Sequence, residues 1–162
     1  MEYQIVTNKI INLLEGNNLW FELFEHTPVI TSEEAAKIRN GYSQHQGTKA
    51  MIVRIKLNRN KKKFVMLVVP GDLKFDNKKI KKEFLAKDVC LASEEEVSEV
   101  TGGVQIGGVP PLGNLFGLEV LVDPTVLLNE KIIFSAGDRR ISIAMKSEDY
   151  KNLVKPQIAV IV

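Results

Sequence analysis

From Gly102 to Gly113 the chain reads Gly-Gly-Val-Gln-Ile-Gly-Gly-Val-Pro-Pro-Leu-Gly. So many glycines and prolines cannot sit inside a helix or a central strand, so the segment is a shaped loop. Glycine lets main chain approach a ligand closely, and proline holds that main chain still. Such a loop can aim fixed N–H donors at a carbonyl or phosphate oxygen; it can equally serve as a tight connection between two core elements. Upstream, Lys49 opens an apolar run, Ala50-Met51-Ile52-Val53, and is preceded by Gln46-Gly47-Thr48. A lysine at the mouth of a strand can pack its stem on apolar neighbours and keep its ammonium in a cleft, suited to holding an anion or polarising a carbonyl.

Other chemistry-bearing residues are sparse. The histidines are His26, before Thr27-Pro28, and His45, in the polar run Ser43-Gln44-His45-Gln46. Neither lies at ligand spacing from carboxylates, so no metal site and no cofactor are expected. No Ser-His-Asp set is offered. Asp138, after Gly137, can orient a water, bind an amino group or cap a turn. Cys90 is a single cysteine in the run Val89-Cys90-Leu91-Ala92, which excludes an internal disulfide and reads as a buried, inert thiol. Trp20 and Phe24 read as core rather than as base-stacking platforms.

The elements that must position these residues follow from periodicity. Ile5, Val6, Ile10, Leu13 and Leu14 form one helical stripe, stopped by Gly16-Asn17-Asn18. Residues 19–25 alternate as a strand. Thr31 or Ser32 caps a short helix through Ile38, with Glu34 completing a capping box on Thr31. Residues 48–56 and 63–69 form a hairpin with a charged tip. A basic helix spans 77–85, Ser93 and Glu96 box a helix to Val100, and strands are expected at 118–122, 132–134, 140–145 and Ile158. Asp123-Pro124 starts a helical turn, and Ser147-Glu148-Asp149 caps a last helix. Strands and helices mix without strict alternation, so the expectation is one α+β domain over residues 1–162, with a mixed, mostly antiparallel sheet and flanking helices.

Composition sets the frame. The 162 residues are 44% hydrophobic and 26% charged, enough for one substantial core. No apolar run is long enough to span a bilayer, and the first residues lack a basic region followed by an apolar one, which points to a cytoplasmic protein without a membrane partner. The net charge of +2 is unevenly spread: thirteen Lys or Arg against three acids lie between Lys49 and Lys87. Such a block suits a polyanion, with binding that weakens steeply in salt; it can also be a solvated face.

Four pieces in order carry a resemblance: residues 26–35 (His-Thr-Pro-Val-Ile-Thr-Ser-Glu-Glu-Ala), Gly47-Thr48-Lys49-Ala50, the loop Gly107-Gly108-Val109-Pro110-Pro111, and Phe134-Ser135-Ala136-Gly137-Asp138. Together they resemble the YbaK-like family, which includes the editing domain inserted in bacterial prolyl-tRNA synthetases and its free-standing relatives. The resemblance spans roughly residues 19–154. It implies a deacylase that hydrolyses the ester between a wrong, small amino acid and the 3′-terminal adenosine of tRNA, with the acceptor end as partner and a synthetase as a further one. Lys49 matches the family's functional lysine, which helps hold the tRNA end. Gly107, Gly108 and Val109 match the loop whose N–H groups position the aminoacyl carbonyl, with Pro110 and Pro111 stiffening it. Val29, Thr31 and Val109 are expected in the pocket wall, and His26, Gly137 and Asp138 beside it. Where some relatives carry a histidine after Ala-Gly, this chain has Asp138-Arg139. A second reading is a non-catalytic module of the same fold that binds tRNA or a protein.

Overall fold

The computed structural model describes residues 2–162 and runs α1 (Ile5–Gly16), β1 (Phe21–Glu25), α2 (Ser32–Ile38), β2 (Thr48–Lys56), β3 (Lys62–Pro70), α3 (Asn77–Phe84), β4 (Asp88–Leu91), α4 (Glu94–Thr101), β5 (Glu119–Val122), α5 (Pro124–Leu127), β6 (Lys131–Ser135), β7 (Ile141–Lys146), α6 (Ser147–Val154) and β8 (Gln157–Ile158). The α+β class holds. The strands divide into two sheets rather than one: an antiparallel β1-β7-β6 sheet and a larger β4-β2-β3-β5-β8 sheet. Antiparallel pairing dominates, and β3-β5 and β5-β8 are parallel.

The main core lies where Ile52, Met66 and Val68 of the larger sheet meet Ile132, Phe134 and Ile143 of the smaller one. A second core on the opposite face of the larger sheet holds Val53, Ile55, Val65, Leu67 and Ile80. Ile80 fastens α3 there, and full burial of such a side chain contributes about 1.5–3 kcal/mol. That anchor leaves Lys78 and Lys82 in water on a helix whose Asp76 cap accepts from the N–H of Lys78 at 2.8 Å. Side chains alternate along a strand, so Lys49 shares the face of Val53 and Ile55, the face that α3 covers.

Local signals were honoured where they were strongest. Both capping boxes form, Thr31 with Glu34 and Ser93 with Glu96. Elsewhere tertiary context intervened. Ile5 is 75% exposed, because α1 turns Thr7, Ile10 and Leu14 inward and Thr7 Oγ1 donates to the Ala136 carbonyl at 2.6 Å. Ser147 does not cap α6; its hydroxyl donates to the Asn129 carbonyl instead. Cys90 is half-buried rather than sealed, because it sits on edge strand β4, where Arg54 Nη2 approaches its sulfur at 3.2 Å. Trp20 is 37% exposed with Lys131 Nζ 4.5 Å from its ring centroid, while the half-buried Phe24 meets Tyr42 edge-on at 6.0 Å. No helix among the described residues is long and apolar enough to cross a membrane.

Candidate functional site

Four segments meet at the rim of the two sheets: the entry to α2, the start of β2, the Gly/Pro loop and the end of β6. The capping box turns the chain at Thr31 and sends α2 inward, with Ala35 buried. The start of β2 is pinned by Gly71, whose N–H donates to the Gly47 carbonyl at 2.6 Å, and by Ile133, whose N–H donates to the Gln46 carbonyl at 3.1 Å. This bridge ties the larger sheet to the smaller one and fixes where Lys49 emerges.

The Gly/Pro loop is held from behind. Arg139 Nε donates to the Ile106 carbonyl at 2.7 Å, the Gly137 N–H to the Gly108 carbonyl at 2.8 Å, and the buried Tyr150 hydroxyl to the Pro111 carbonyl at 2.7 Å. Burial pushes the Tyr150 hydroxyl's pKa up, so it stays a donor at every working pH. We expect Tyr150→Phe to cost about 1–3 kcal/mol, since it leaves a buried carbonyl unpaired; urea unfolding measures this, and an unchanged midpoint would contradict the brace.

Gly107 has φ +91°, and a Cβ there would lie 3.0 Å from Ile30 Cα and 3.1 Å from the Ile30 carbonyl oxygen. Only glycine takes that conformation against that neighbour without displacement. The Gly108 N–H closes the turn on the Gln105 carbonyl at 2.9 Å. By contrast, the N–H groups of Gly107 and Val109 find no protein acceptor among the described residues.

These segments enclose a cavity of about 320 Å³, lined by Val29, Thr31, Lys49, Gly107 and Val109 among others. Its size is at the small end of ligand pockets. Partial burial, with Lys74 as a second cause, pushes the Lys49 ammonium below its ordinary value, and Asp72 pulls the other way.

The remaining residues singled out in the sequence lie elsewhere. Pro110 and Pro111 are buried behind the loop. Gly108, Gly137 and Asp138 line a separate cavity of about 380 Å³ on the loop's other side. There the Asp138 carboxylate is taken up by Arg140, accepting from Nη2 at 2.8 Å and from Nε at 3.0 Å, and this pairing holds it below the usual carboxylate range. His26 Nδ1 donates to the Thr27 carbonyl at 2.8 Å, leaving Nε2, 2.7 Å from Ser142 Oγ, to accept that hydroxyl's proton. Its ring does not line the first cavity.

Several cavity residues have no counterpart among the sequence candidates, and two of them are hydrogen-bonded to each other. Arg39, at the end of α2, and Ser135, at the end of β6, both line it. Arg39 is only 6% exposed, and its guanidinium, pushed down to about 10 by burial, stays charged at neutral pH. The available signal was spacing: Arg39 lies four residues after the buried Ala35, on the inward face of a capped helix.

Residues 26–153 match the family model described as the aminoacyl-tRNA editing domain. The chain is 28% identical over 155 residues to the multifunctional Ser/Thr-tRNA deacylase ProXp-y of Escherichia coli K12, covering 95% of this chain and 91% of that protein. It is 34% identical over 79 residues to the proline–tRNA ligase of Treponema denticola, covering 49% of this chain and 13% of the ligase. A solved structure described as a candidate trans-editing enzyme for prolyl tRNA synthetase superposes with a TM-score of 0.80 at 22% identity, covering 99% of this chain and 98% of that one, which shows the shared fold. A match that spans most of the chain and includes every segment of the first cavity places this protein in the aminoacyl-tRNA editing domain family.

Proposed function

We propose that the chain hydrolyses mischarged tRNA in trans, removing a small amino acid from the 3′-terminal adenosine in the cavity between Lys49 and Gly107. The observation that carries this reading is that Lys49 lines one cavity with Gly107 and Val109, whose main-chain N–H groups have no protein acceptor among the described residues. An aminoacyl ester is already activated, so orienting a water and stabilising the developing oxyanion suffice without a covalent nucleophile. In this account the ester carbonyl accepts from the Gly107 and Val109 N–H groups. Water attacks the carbonyl carbon, the acyl carbon–oxygen bond breaks, and the proton released by the water goes to the departing adenosine oxygen. The terminal ribose hydroxyl assists the water, as the family resemblance implies, and Lys49 holds the nucleotide.

The E. coli relative is named a Ser/Thr-tRNA deacylase, which supports a small hydroxylated amino acid as substrate. Editing of this kind exists because small side chains differ by only ~1–3 kcal/mol in a synthetic site. The reaction belongs where tRNA is charged, in the cytoplasm, with an aminoacyl-tRNA synthetase as a partner in the proofreading cycle.

The assay is release of free amino acid from Ala-, Cys-, Ser- and Thr-charged tRNA. Release above the spontaneous rate for at least one of them is expected; protection of every ester would favour the non-catalytic binder. The basic face supplies a second test. Lys78 and Lys82 lie on the sheet face that carries Lys49, which suits them to guide the acceptor stem. Lys78→Glu with Lys82→Glu should raise KM for charged tRNA about tenfold and flatten its salt dependence by about two counterions; an unchanged salt slope would remove α3 from the tRNA path.

A further inference from the structure

Arg39 is the only basic side chain buried among the described residues, and none of the ion pairs there includes it. Its partners are two hydroxyls brought from the smaller sheet: Nε donates to Ser142 Oγ at 3.0 Å, and Nη2 to Ser135 Oγ at 3.4 Å. Ser142 in turn donates to His26 Nε2, so its one proton is committed. Nη1 donates to no protein group among the described residues. No side-chain nitrogen or oxygen among the described residues is both sealed and unpartnered, so Nη1 is not sealed, and Arg39 lines the cavity. A Cβ placed on Gly47 would lie 3.0 Å from the Gln44 carbonyl oxygen and 3.4 Å from Nη1, so Nη1 lies next to the stretch of cavity wall that Gly47 forms.

A buried cation without a carboxylate opposes folding, and its retention at the floor of a ligand cavity calls for a ligand. We propose that Arg39, backed by Ser135 and Ser142, is the specificity-determining floor of the cavity and selects aminoacyl esters whose side chain carries a hydroxyl. This inference rests on the deacylase reading above. With the ester carbonyl on the loop and the nucleotide on the Lys49 side, the group that reaches the floor is the amino acid's side chain or its α-ammonium. The guanidinium repels the ammonium and so directs the side chain downward. A hydroxyl oxygen accepts from Nη1, and its O–H can donate a hydrogen bond to Ser135 Oγ. A methyl group in the same place strips water from Nη1 and returns nothing, which is the situation in which a polar site rejects an analogue that lacks one oxygen. A carboxylate prefers the two-pronged edge of a guanidinium. Here Nε and one N–H of Nη2 are committed to serines, so that two-pronged edge is taken and the two N–H groups of Nη1 and the second of Nη2 remain for a ligand.

The test is kcat/KM for tRNA charged with serine, alanine, threonine, 2-aminobutyrate and aspartate, in the unaltered protein and in Arg39→Met. The unaltered protein should prefer serine over alanine, and threonine over 2-aminobutyrate, by about 100-fold or more. In Arg39→Met both ratios should collapse to a few-fold, with a thermal midpoint unchanged or raised. Equal rates for serine and alanine in the unaltered protein, or a preference for aspartate, would overturn the floor while leaving the deacylase reading intact; hydrolysis of none of the five, nor of Cys-charged tRNA, would sink that reading itself. Arg39→Met that keeps the ratios, or that loses its fold, would make Arg39 a structural group and overturn the proposal.

Discussion

Replacing Lys49 by alanine is expected to lower single-turnover hydrolysis of a mischarged tRNA by about 10²–10³-fold, with an unchanged thermal midpoint. The size follows from losing one preorganised charge in a partly water-excluded site, where electrostatic contacts are worth more than in bulk water. The fold is expected to survive because Lys49 takes part in no ion pair among the described residues, and its neighbours Ile52 and Val53 carry the burial. Lys49→Arg should restore part of the activity, since the charge is kept and its position altered. The pH dependence has a definite sign. The pKa of Lys49 is lowered, so its ammonium is lost as pH rises through a value below the ordinary 10.5. Affinity for a non-hydrolysable aminoacyl-adenosine amide should therefore fall on the alkaline side in the unaltered protein and fall less in Lys49→Ala, where Arg39, pushed down to about 10, still titrates. Full turnover by Lys49→Ala would remove Lys49 from the site.

Gly107→Ala is expected to reduce turnover by about 10²-fold or more, through displacement rather than loss of a group. The added Cβ meets main chain at Ile30, which cannot swing away as a flexible side chain can, and the φ of +91° adds backbone strain of about 1–3 kcal/mol. The loop must shift, and the Gly107 and Val109 N–H groups shift with it. Gly103→Ala is the matched control: φ is +107°, yet nothing lies within 4 Å of its Cβ and the residue does not line the first cavity. It should show comparable strain in unfolding experiments with a much smaller loss of turnover. Equal activity losses in the two variants would mean that strain, not the position of the donors, explains the effect.

What could be read from the sequence was what short-range chemistry decides. Thr31 with Glu34 and Ser93 with Glu96 write their helix starts within four residues, and the β2-β3 hairpin is written by two β-branched runs around a polar tip. The loop at 102–113 was legible as a loop from its glycines and prolines, and Lys49 from its place at the mouth of a strand. Their meeting at one cavity depends on the Gln46–Ile133 hydrogen bond between two sheets, which no local pattern encodes. Arg39 was missed for the same reason: its burial is created by Ser142 and Ser135, 103 and 96 residues away. The division of the Gly/Pro loop, with Gly107 and Val109 on one cavity and Gly108 on the other, reflects the φ of a single residue and the braces from Arg139 and Gly137 behind it. Asp138 follows the same rule. A Gly-Asp pair reads as turn or as ligand, and the neighbouring Arg140 takes up its carboxylate in the folded chain.

The central claim is that main-chain donors on one side of a cavity and the Lys49 ammonium on the other hold an aminoacyl-adenosine between them. Its most direct test is amide NMR of the labelled protein titrated with seryl-adenosine linked through a 3′-amide, which cannot be hydrolysed. Downfield movement of the Gly107 and Val109 amide protons, with Lys49 shifting at the same ligand concentration, is the predicted result. Saturable binding that leaves those two amides unmoved and perturbs residues around Gly103 and Asp138 instead would contradict it.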